Sequence, residues 1–563
     1  MAKLPRWLRR LQSRSVWSTA FQRPLLIALF GLCMVVTVGC RQWFSSAPTP
    51  SPTPTPSTSP PAITSTLTLG TTAKIRTLDP ADAYKVFTGN LLYNLGDRLY
   101  TYKEGELVPQ LATAMPEVSE DGLEYQIDLR QDVVFHDGTP FDAKAMAFSL
   151  QRFIDNGGQP SFLLSDTVEK VDEIASHKLK IRLKKPFVAF PALLAFSGLT
   201  PVSPQAYTDQ VETFRRSTFV GTGPYRLTSD TLDNLKLTPF DQYWGDPPEN
   251  KSVTVKRYNN AASLYNAFRS GLVDIAYQSL NPDQIGVLVS TAEQTGDWQT
   301  ITGPGSNITY LSLNLRDPPL NKIEVRQAIA LVIDRQSLQN RISRDQVEPL
   351  YSLIPSIYPE SKSVFRTAAD INPAAQAKER LRAGGYSKSK SIKLTLGYRS
   401  NVPSDAPAAQ AIKSSIERQL DGLVTVDLES MDSAQAYISQ NQGRYNLFML
   451  DYTGDFYDPD TYIQPFLACS KGSEEEGCQT GATVVQGSFY YRERMNQLID
   501  QERQSQDPQE RQKIFAEIQD IVAEDVPYIP LWQRREYAFA QDNVKGIRLE
   551  PTQHLPFWPL KKS

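Results

Sequence analysis

Charged side chains gather at one predicted edge of the most regular part of the chain, residues 391–455. Arg399 follows the first predicted strand there, and Asp451, Asp455 and Asp458 surround the end of the third. Open parallel sheets bind ligands outside the carboxyl ends of their strands, so we expect these charges to share one site. A guanidinium and a carboxylate on one rim can hold the carboxylate and the ammonium of a solute.

Hydrophobic periodicity predicts the elements that position these charges. It predicts strands over 392–398, 424–428 and 445–452, and helices over 406–420 and 433–442. Such a βαβαβ run requires parallel strands joined by right-handed crossovers. From residue 66 onward, strand and helix signals alternate without a repeat, which predicts an α/β fold.

No catalytic motif accompanies the charged rim. The sequence has no Gly-x-Ser-x-Gly elbow and no His-Glu-x-x-His motif, and its three histidines (His136, His177 and His554) are far apart. The aspartate spacing from Asp451 to Asp460 resembles a calcium loop but lacks the central glycine of an EF-hand. We therefore predict no enzyme activity, no cofactor and no metal site; an exported hydrolase is the alternative from another class.

Two cysteines, Cys469 and Cys478, lie close together in a polar loop near the C-terminus. In an exported chain such a pair favours a local disulfide, and two free thiols are the alternative. A zinc site is disfavoured because no third or fourth ligand lies nearby.

The start of the chain has the features of an export signal. Residues 1–39 carry six basic residues and no acidic one, and the apolar stretch 24–39 is shorter than the roughly 20 residues that span a bilayer. It ends at Gly39-Cys40, which resembles the lipobox of bacterial lipoproteins, so we expect cleavage before Cys40 and lipid attachment to it. An uncleaved N-terminal anchor is the alternative. Seven prolines within residues 45–62 favour an extended tether.

Length and charge limit the class of protein. A chain of 563 residues exceeds one compact core, so two large lobes are expected. Taking the six N-terminal positive charges from the formal net charge of -3 leaves -9 for the rest. That balance disfavours binding to nucleic acid and electrostatic attachment to anionic membranes.

Three segments resemble the extracellular solute-binding family that includes oligopeptide-, dipeptide- and nickel-binding proteins of ABC importers. They are residues 107–153 with the core FHDGTPF at 135–141, residues 221–225 (GTGPY) and residues 321–338 (NKIEVRQAIALVIDRQSL). Residues 144–146 (KAM) depart from the family, whose members usually carry an acidic residue followed by Asp-Val. The resemblance runs from about residue 66 to the C-terminus.

The resemblance implies a two-lobed α/β fold of the periplasmic-binding-protein type, in its large cluster-C-like form, which closes on a ligand about a hinge. The implied divisions are a signal peptide at 1–39, a lipidated cysteine and tether at 40–62, lobe I at 63–305 plus 531–563, and lobe II at 306–530. Residues 303–305 (Gly-Pro-Gly) and the chain near Pro530 are the expected crossings between the lobes.

The resemblance also implies roles for four residues of lobe II. In Tyr452-Thr453-Gly454-Asp455, the aspartate matches the residue that receives the α-ammonium of a peptide in dipeptide binders. Arg399 is the counterpart of the arginine that pairs with the peptide carboxylate, and Tyr452 and Tyr457 are expected to line side-chain pockets. The alternatives are that Asp455 caps a turn and that Arg399 is a solvated loop residue.

The implied function is that of the solute-binding component of an ABC transporter, which captures di- to oligopeptides and delivers them to a membrane permease. We expect a monomer held by its lipid at the periplasmic side of the cytoplasmic membrane, or on the cell surface where no outer membrane exists. A nickel chelate, a sugar or another small solute is the alternative ligand. A sensing role is also compatible, because sensing and transport use the same ligand-gated closure.

The lipobox interpretation predicts the effect of replacing Cys40. In Cys40→Ala the thiol that accepts the lipid is absent, so the protein should lose lipid labelling and leave the membrane fraction. Metabolic labelling with a fatty acid and fractionation of the cells measure both effects, with Cys33→Ala as the matched control. Unchanged labelling of the Cys40→Ala variant contradicts the assignment.

Overall fold

The described part of the chain starts just before its first strand. The structure is a computed structural model that describes residues 65–207, 214–342, 346–366 and 372–563. The predicted signal peptide, Cys40 and the tether lie outside the described residues. Within the described ranges, no helix is long and apolar enough to cross a membrane.

Strands and helices alternate along the described chain. The strands are β1 (Thr66–Thr71), β2 (Tyr100–Lys103), β3 (Glu106–Pro109), β4 (Glu117–Val118), β5 (Glu124–Asp128), β6 (Val168–Ala175), β7 (Lys178–Leu183), β8 (Tyr225–Asp230), β9 (Asn234–Pro239), β10 (Ser252–Arg257), β11 (Ile275–Tyr277), β12 (Trp298–Leu313), β13 (Val347–Pro349), β14 (Ile392–Arg399), β15 (Val424–Met431), β16 (Leu447–Tyr452), β17 (Cys469–Ser473), β18 (Gly477–Gly481), β19 (Tyr528–Gln541), β20 (Val544–Lys545) and β21 (Lys561–Lys562).

The helices lie between these strands. They are α1 (Val86–Leu95), α2 (Ala143–Asp155), α3 (Phe162–Ser165), α4 (Phe190–Leu193), α5 (Ala261–Arg269), α6 (Pro282–Thr295), α7 (Ile323–Val332), α8 (Arg335–Ile342), α9 (Pro373–Ala383), α10 (Asp405–Gln419), α11 (Ser433–Asn441), α12 (Gln464–Leu467), α13 (Ala482–Val485), α14 (Glu493–Gln504) and α15 (Pro508–Asp525), with short 3-10 helices at Ser197–Leu199 and Pro459–Tyr462.

One eleven-stranded sheet joins the two ends of the fold. Its order is β15-β14-β16-β12-β19-β11-β1-β10-β9-β8, and β13 pairs with β19 beside this path. The long strands β12 and β19 run antiparallel along most of their lengths and connect the two halves of the sheet. Any movement of one half against the other must therefore pass through these two strands.

The predicted βαβαβ run is confirmed, because β14 pairs in parallel with both β15 and β16. The third strand begins at Leu447, two residues later than predicted. At that end the side-chain oxygen of Asn446 accepts a hydrogen bond from the backbone N–H of Thr395 at 2.7 Å. The Asn446 side chain thus satisfies the backbone N–H of Thr395 in β14. If β16 began earlier, a backbone carbonyl of β16 would accept this hydrogen bond instead.

Strand β16 separates two apolar cores. Leu447 and Met449 pack into a core that includes α10, whereas Phe448 and Leu450 pack into a second core that includes α11. Successive side chains of a strand point to opposite faces, so an uninterrupted apolar run needs a partner on each face. The two crossover helices supply those partners.

Two of the segments that resemble the solute-binding family, residues 107–153 and 221–225, pack against each other. Phe135 and Phe141 are fully buried at the start of α2. Between them, the backbone N–H of His136 donates to the carbonyl of Gly221 at 2.8 Å, and the His136 ring lies 3.0 Å from the carbonyl of Gly223. Burial lowers the pKa of His136 to about 4, so the ring is neutral at pH 7 and links two segments of backbone.

The expected crossings between lobes lie inside the two long strands: residues 303–305 belong to β12, and Pro530 belongs to β19. We propose β12 and β19 as the hinge; the boundaries at 305 and 531 stay a prediction. Near the C-terminal part of lobe II, β17 and β18 form a hairpin that a Cys469–Cys478 disulfide closes.

An ion pair anchors α2 to the segment that follows β1. Both terminal nitrogens of Arg152 donate to the carboxylate of Asp79, at 2.8 and 2.6 Å, and these side chains are 9% and 0% exposed. Arg152→Ala leaves the buried carboxylate without its cation, so we expect the free energy of unfolding to fall by about 3–5 kcal/mol. Denaturation in urea followed by tryptophan fluorescence measures the change.

The matched control is an exposed pair of the same kind. Arg494 lies 2.8 Å from Glu517, and these side chains are 43% and 46% exposed. Arg494→Ala should therefore cost about 1 kcal/mol or less. Equal losses of stability in the two variants contradict the prediction.

Candidate ligand-binding site

The aspartates at the end of β16 differ in their partners. Among the residues that the structure describes, each of three has an arginine within ion-pair distance, and Asp455 has none. The pairs are Asp451 with Arg399, Asp458 with Arg511 (2.7 Å) and Asp460 with Arg503 (3.3 Å). Asp455 is thus the carboxylate of this cluster that remains available to an external cation.

Neutral hydroxyls surround the Asp455 carboxylate. The hydroxyl of Tyr84 donates to Oδ1, and the hydroxyl of Tyr452 donates to Oδ2 at 3.2 Å. Burial raises the pKa of Asp455 to about 6, and the hydrogen bonds from Tyr84 and Tyr452 act against that rise. A cation placed here would find a desolvated carboxylate whose charge no protein cation has neutralised.

The loop that carries Asp455 is held from several directions. The backbone N–H of Asp455 donates to the hydroxyl of Thr461 at 3.0 Å, and that of Gly454 donates to the hydroxyl of Tyr462 at 3.1 Å. Glycine is required at 454, since a Cβ there would lie 2.5 Å from the Thr461 methyl group. These contacts place the Asp455 carboxylate before any ligand arrives.

The end of the loop is fixed by charge. Arg511 donates to both carboxylate oxygens of Asp458, at 2.8 and 2.7 Å, and its Nη2 lies 2.9 Å from the buried Glu502. The Oδ1 of Asp458 also accepts a hydrogen bond from the backbone N–H of Asp460 at 2.9 Å, at the start of the short 3-10 helix Pro459–Tyr462. Asp458 therefore acts in holding the loop.

Arg399 lies at the end of β14, with only 6% of its side chain exposed. It contacts Asp451, and its Nε donates to Asp405 at 3.0 Å. Burial alone would lower the pKa of Arg399, but these two carboxylates raise it above its ordinary value. Arg399 is not a solvated loop residue, and its role as a ligand-binding residue stays a prediction; the structure shows its charge shared by two internal partners.

The two predicted tyrosines occupy different places. Tyr452 contacts the Asp455 carboxylate through its hydroxyl, whereas Tyr457 donates its hydroxyl to the backbone carbonyl of Ile357 at 3.3 Å. The ring of Tyr457 packs 5.0 Å from that of Tyr102 and 4.9 Å from that of Tyr358. Tyr457 therefore belongs to an aromatic cluster behind the loop.

Sequence analysis missed Tyr84, which contacts Asp455 across 371 positions of the chain. It precedes α1, in a segment without any motif that we associated with binding. The hydroxyl is held inside the fold, and burial raises its pKa above the ordinary value, so it stays a neutral donor. Only the packing of two distant segments reveals the contact.

A cavity of about 380 Å³ borders the same loop and the two long strands. Its polar lining includes Asn307, Thr453, Arg534, Glu536 and Gln553. The Nδ2 of Asn307 donates to the Thr453 hydroxyl at 2.9 Å, which links β12 to the segment before Asp455. A solute in this cavity would lie between the proposed hinge strands, β12 and β19, and the loop that carries Asp455.

The described residues contain no group of three or more His, Cys, Asp or Glu side chains arranged to hold a metal ion. His136 and His554 make internal contacts instead. His554 stacks on Tyr93, with ring centroids 4.5 Å apart, and burial lowers its pKa to about 3. It is therefore a neutral packing residue at pH 7.

Comparison with known proteins places the fold and the family. The family of bacterial extracellular solute-binding proteins, family 5, matches residues 106–474 through its middle part. The chain is 27% identical over 497 residues to a probable D,D-dipeptide-binding periplasmic protein of Escherichia coli, covering 86% of this chain and 92% of that protein. It is 24% identical over 493 residues to the glutathione-binding protein of Salmonella typhimurium, covering 85% and 91%.

Solved structures share the fold. NikA from Brucella suis, in complex with Fe(III)-EDTA, superposes with a TM-score of 0.74 at 21% identity, over 89% of this chain and 100% of that one. The match confirms the expected fold of the periplasmic-binding-protein type. With a family match that covers more than half of the sequence, the chain belongs to the bacterial extracellular solute-binding proteins of family 5.

Proposed function

We propose that this protein captures short peptides between its two lobes and delivers them to the membrane permease of an ATP-driven importer. The observation that carries the proposal is the Asp455 carboxylate, which is buried and has no cation partner among the described residues. The α-ammonium of a peptide supplies the missing positive charge. The two relatives described above, which are named for binding a D,D-dipeptide and glutathione, support this class of solute.

The surroundings of Asp455 explain how the ammonium is recognised. An α-ammonium has three donors, and the carboxylate offers lone pairs beyond those that Tyr84 and Tyr452 use. The site is desolvated, so the attraction between the charges is stronger than in water. Tyr452 stays beside the carboxylate as a neutral donor, while side chains of the peptide extend away from this charge.

The place of action follows from the N-terminal sequence. We propose that Cys40 carries a lipid and that residues 40–62 tether a monomeric binding domain outside the cytoplasmic membrane. The relative from Escherichia coli is named as a periplasmic protein, which supports an extracytoplasmic location. A tethered binding protein stays near the permease it supplies.

A metal chelate is the second candidate solute, because the solved relative from Brucella suis holds Fe(III)-EDTA. The buried carboxylate of Asp455 has no evident role in binding such an anion. Denaturing mass spectrometry of the small molecules that leave the purified protein distinguishes the two. A ladder of short peptides supports peptide capture, and a single chelate assigns the site to metal uptake.

Removing the charge of Asp455 tests the proposal. Asp455→Asn keeps the shape of the side chain but not its charge, so affinity for tri-alanine should fall by about 3–5 kcal/mol, or two to four decades. N-acetyl-tri-alanine lacks the ammonium, so wild type should bind it as weakly as the variant binds tri-alanine. Isothermal titration calorimetry of both ligands, with di- and tetra-alanine as length controls, measures the effects.

Asp427→Asn is the matched control variant. Asp427 lies on the outer strand β15, is 59% exposed and pairs with Lys393 of β14, so loss of its charge should leave peptide affinity unchanged. If the Asp455 variant retains wild-type affinity, or if wild type binds the acetylated peptide equally well, Asp455 does not receive an ammonium.

The raised pKa of Asp455 predicts a pH dependence of binding. A bound ammonium favours the ionised carboxylate, so the pKa of Asp455 is lower in the complex than its value of about 6 in the free protein. Affinity should therefore be greatest near pH 7, where the carboxylate is ionised and the α-ammonium is still protonated, and fall by up to about tenfold per unit below pH 6. Asp455→Asn should flatten the profile between pH 7 and 5; an unchanged profile assigns the dependence to another group, such as Glu536.

A further inference from the structure

Arg534 lines the cavity beside the aspartate loop, together with Asp451 and Glu536, whose carboxyls interact with its charge without forming an ion pair among the described residues. Two nearby arginines are already paired: Arg399 with two aspartates, and Arg535 with Glu348 at 2.7 Å. Among the residues that the structure describes, none forms a hydrogen bond or an ion pair with the side chain of Arg534, which lines the cavity. A cavity-lining guanidinium without a partner is a candidate receptor for an anionic group.

An irregularity in β12 lies directly opposite Arg534. Pro304 pairs with Arg535 and Ile308 pairs with Gln533, so residues 305–307 face Arg534 alone. Extra residues in one strand re-aim side chains and are frequent beside functional sites. A Cβ at position 305 would lie 2.5 Å from the Arg534 carbonyl oxygen, so glycine is needed for this approach.

Three residues of the cavity lining carry buried polar atoms without a hydrogen-bond partner among the described residues. They are Arg534 Nε, Gln553 Nε2 and Asn307 Oδ1. Buried polar atoms are normally satisfied, because leaving them unpaired is unfavourable. The nitrogens of Arg534 and Gln553 are two hydrogen-bond donors, and Asn307 Oδ1 is one acceptor. A ligand group that accepts two hydrogen bonds and carries an N–H nearby would satisfy all three atoms. The terminal carboxylate of a peptide, next to its last amide N–H, has this pattern.

We propose that Arg534, assisted by the Gln553 amide, receives the terminal carboxylate of the bound peptide in place of Arg399. The inference rests on the proposed function, in which Asp455 receives the ammonium. Thr453 lines the cavity two residues before Asp455, so the cavity borders the segment that carries the proposed ammonium receptor. Arg399 is then a positioning residue that holds Asp451 at the cavity wall.

A neighbouring acid is compatible with this assignment. Glu536 follows Arg534 by two positions in β19, so both side chains lie on the same face of the strand. Burial raises the pKa of Glu536 to about 7, and the charge of Arg534 acts against that rise. A carboxylate bound to Arg534 would favour the protonated form of Glu536. The neutral Glu536 side chain would then not repel the bound carboxylate.

The test compares peptides that differ only at the carboxylate. Affinities of di-, tri- and tetra-alanine and of their C-terminal amides are measured by calorimetry for wild type, Arg534→Gln and the exposed control Arg494→Gln. Wild type should prefer the acid by about 10- to 100-fold. In Arg534→Gln the preference should fall to near one, while the preference for a free over an acetylated amino group persists. The control should keep both preferences.

The outcomes separate this inference from the proposed function. If Arg534→Gln keeps the wild-type preference for the acid, or wild type shows none, Arg534 is not the carboxylate receptor although peptides still bind. If wild type binds no peptide of the series, both proposals fail. Should Arg534→Gln not fold, Arg534→Lys carries the test: it keeps the charge without the planar fork, and should retain only part of the preference.

Discussion

Burial of a carboxylate without a cation is unfavourable, and the arrangement around Asp455 follows from that constraint. Its neighbours in the loop have arginine partners, and their charges are used in holding the structure. Within the described part of the chain, the carboxylate oxygens of Asp455 accept hydrogen bonds only from the hydroxyls of Tyr84 and Tyr452, and its raised pKa indicates that these stabilise the ionised form incompletely. An arriving ammonium therefore gains the full interaction with a desolvated charge, without first displacing a protein cation.

The neighbouring ion pairs make that interaction possible. A carboxylate on a mobile loop would turn toward water and lose the advantage of a desolvated position. Arg511 holds Asp458 through two hydrogen bonds, and Thr461 holds the backbone of Asp455. The free energy of these internal pairs supports the geometry of the site, and under the proposed function the ammonium of the ligand supplies the positive charge opposite Asp455.

The architecture places the proposed site beside the strands that we propose as the hinge. Strands β12 and β19 belong to both halves of the sheet, and the cavity opens where β12 departs from regular pairing opposite Arg534. Tyr84 comes from the part of the chain before α1, and Asp455 from the end of β16, so their contact depends on how the two halves approach. Recognition by terminal charges leaves the middle of a solute unspecified. Contacts to the terminal charges alone would suit a family whose members are named for, or hold, different solutes.

The sequence by itself determined the local elements. Alternation and helical spacing over residues 391–455 predicted β14 to β16 and their crossover helices, because those patterns reflect burial on one or two faces. They also placed Arg399 and Asp455 at one edge of the sheet. The family segments determined the fold class, and two of them (residues 107–153 and 221–225) pack together through His136.

The tertiary structure decided which charges remain available. Nothing near Arg399 in the sequence shows that Asp405 and Asp451 both reach it, and nothing in Arg534-Arg535 shows which arginine is paired. Tyr84 lies 371 positions from the carboxylate it contacts. Periodicity records whether a side chain is buried, whereas pairing depends on distances of a few ångströms between segments remote in sequence, and those distances exist only after the chain has folded.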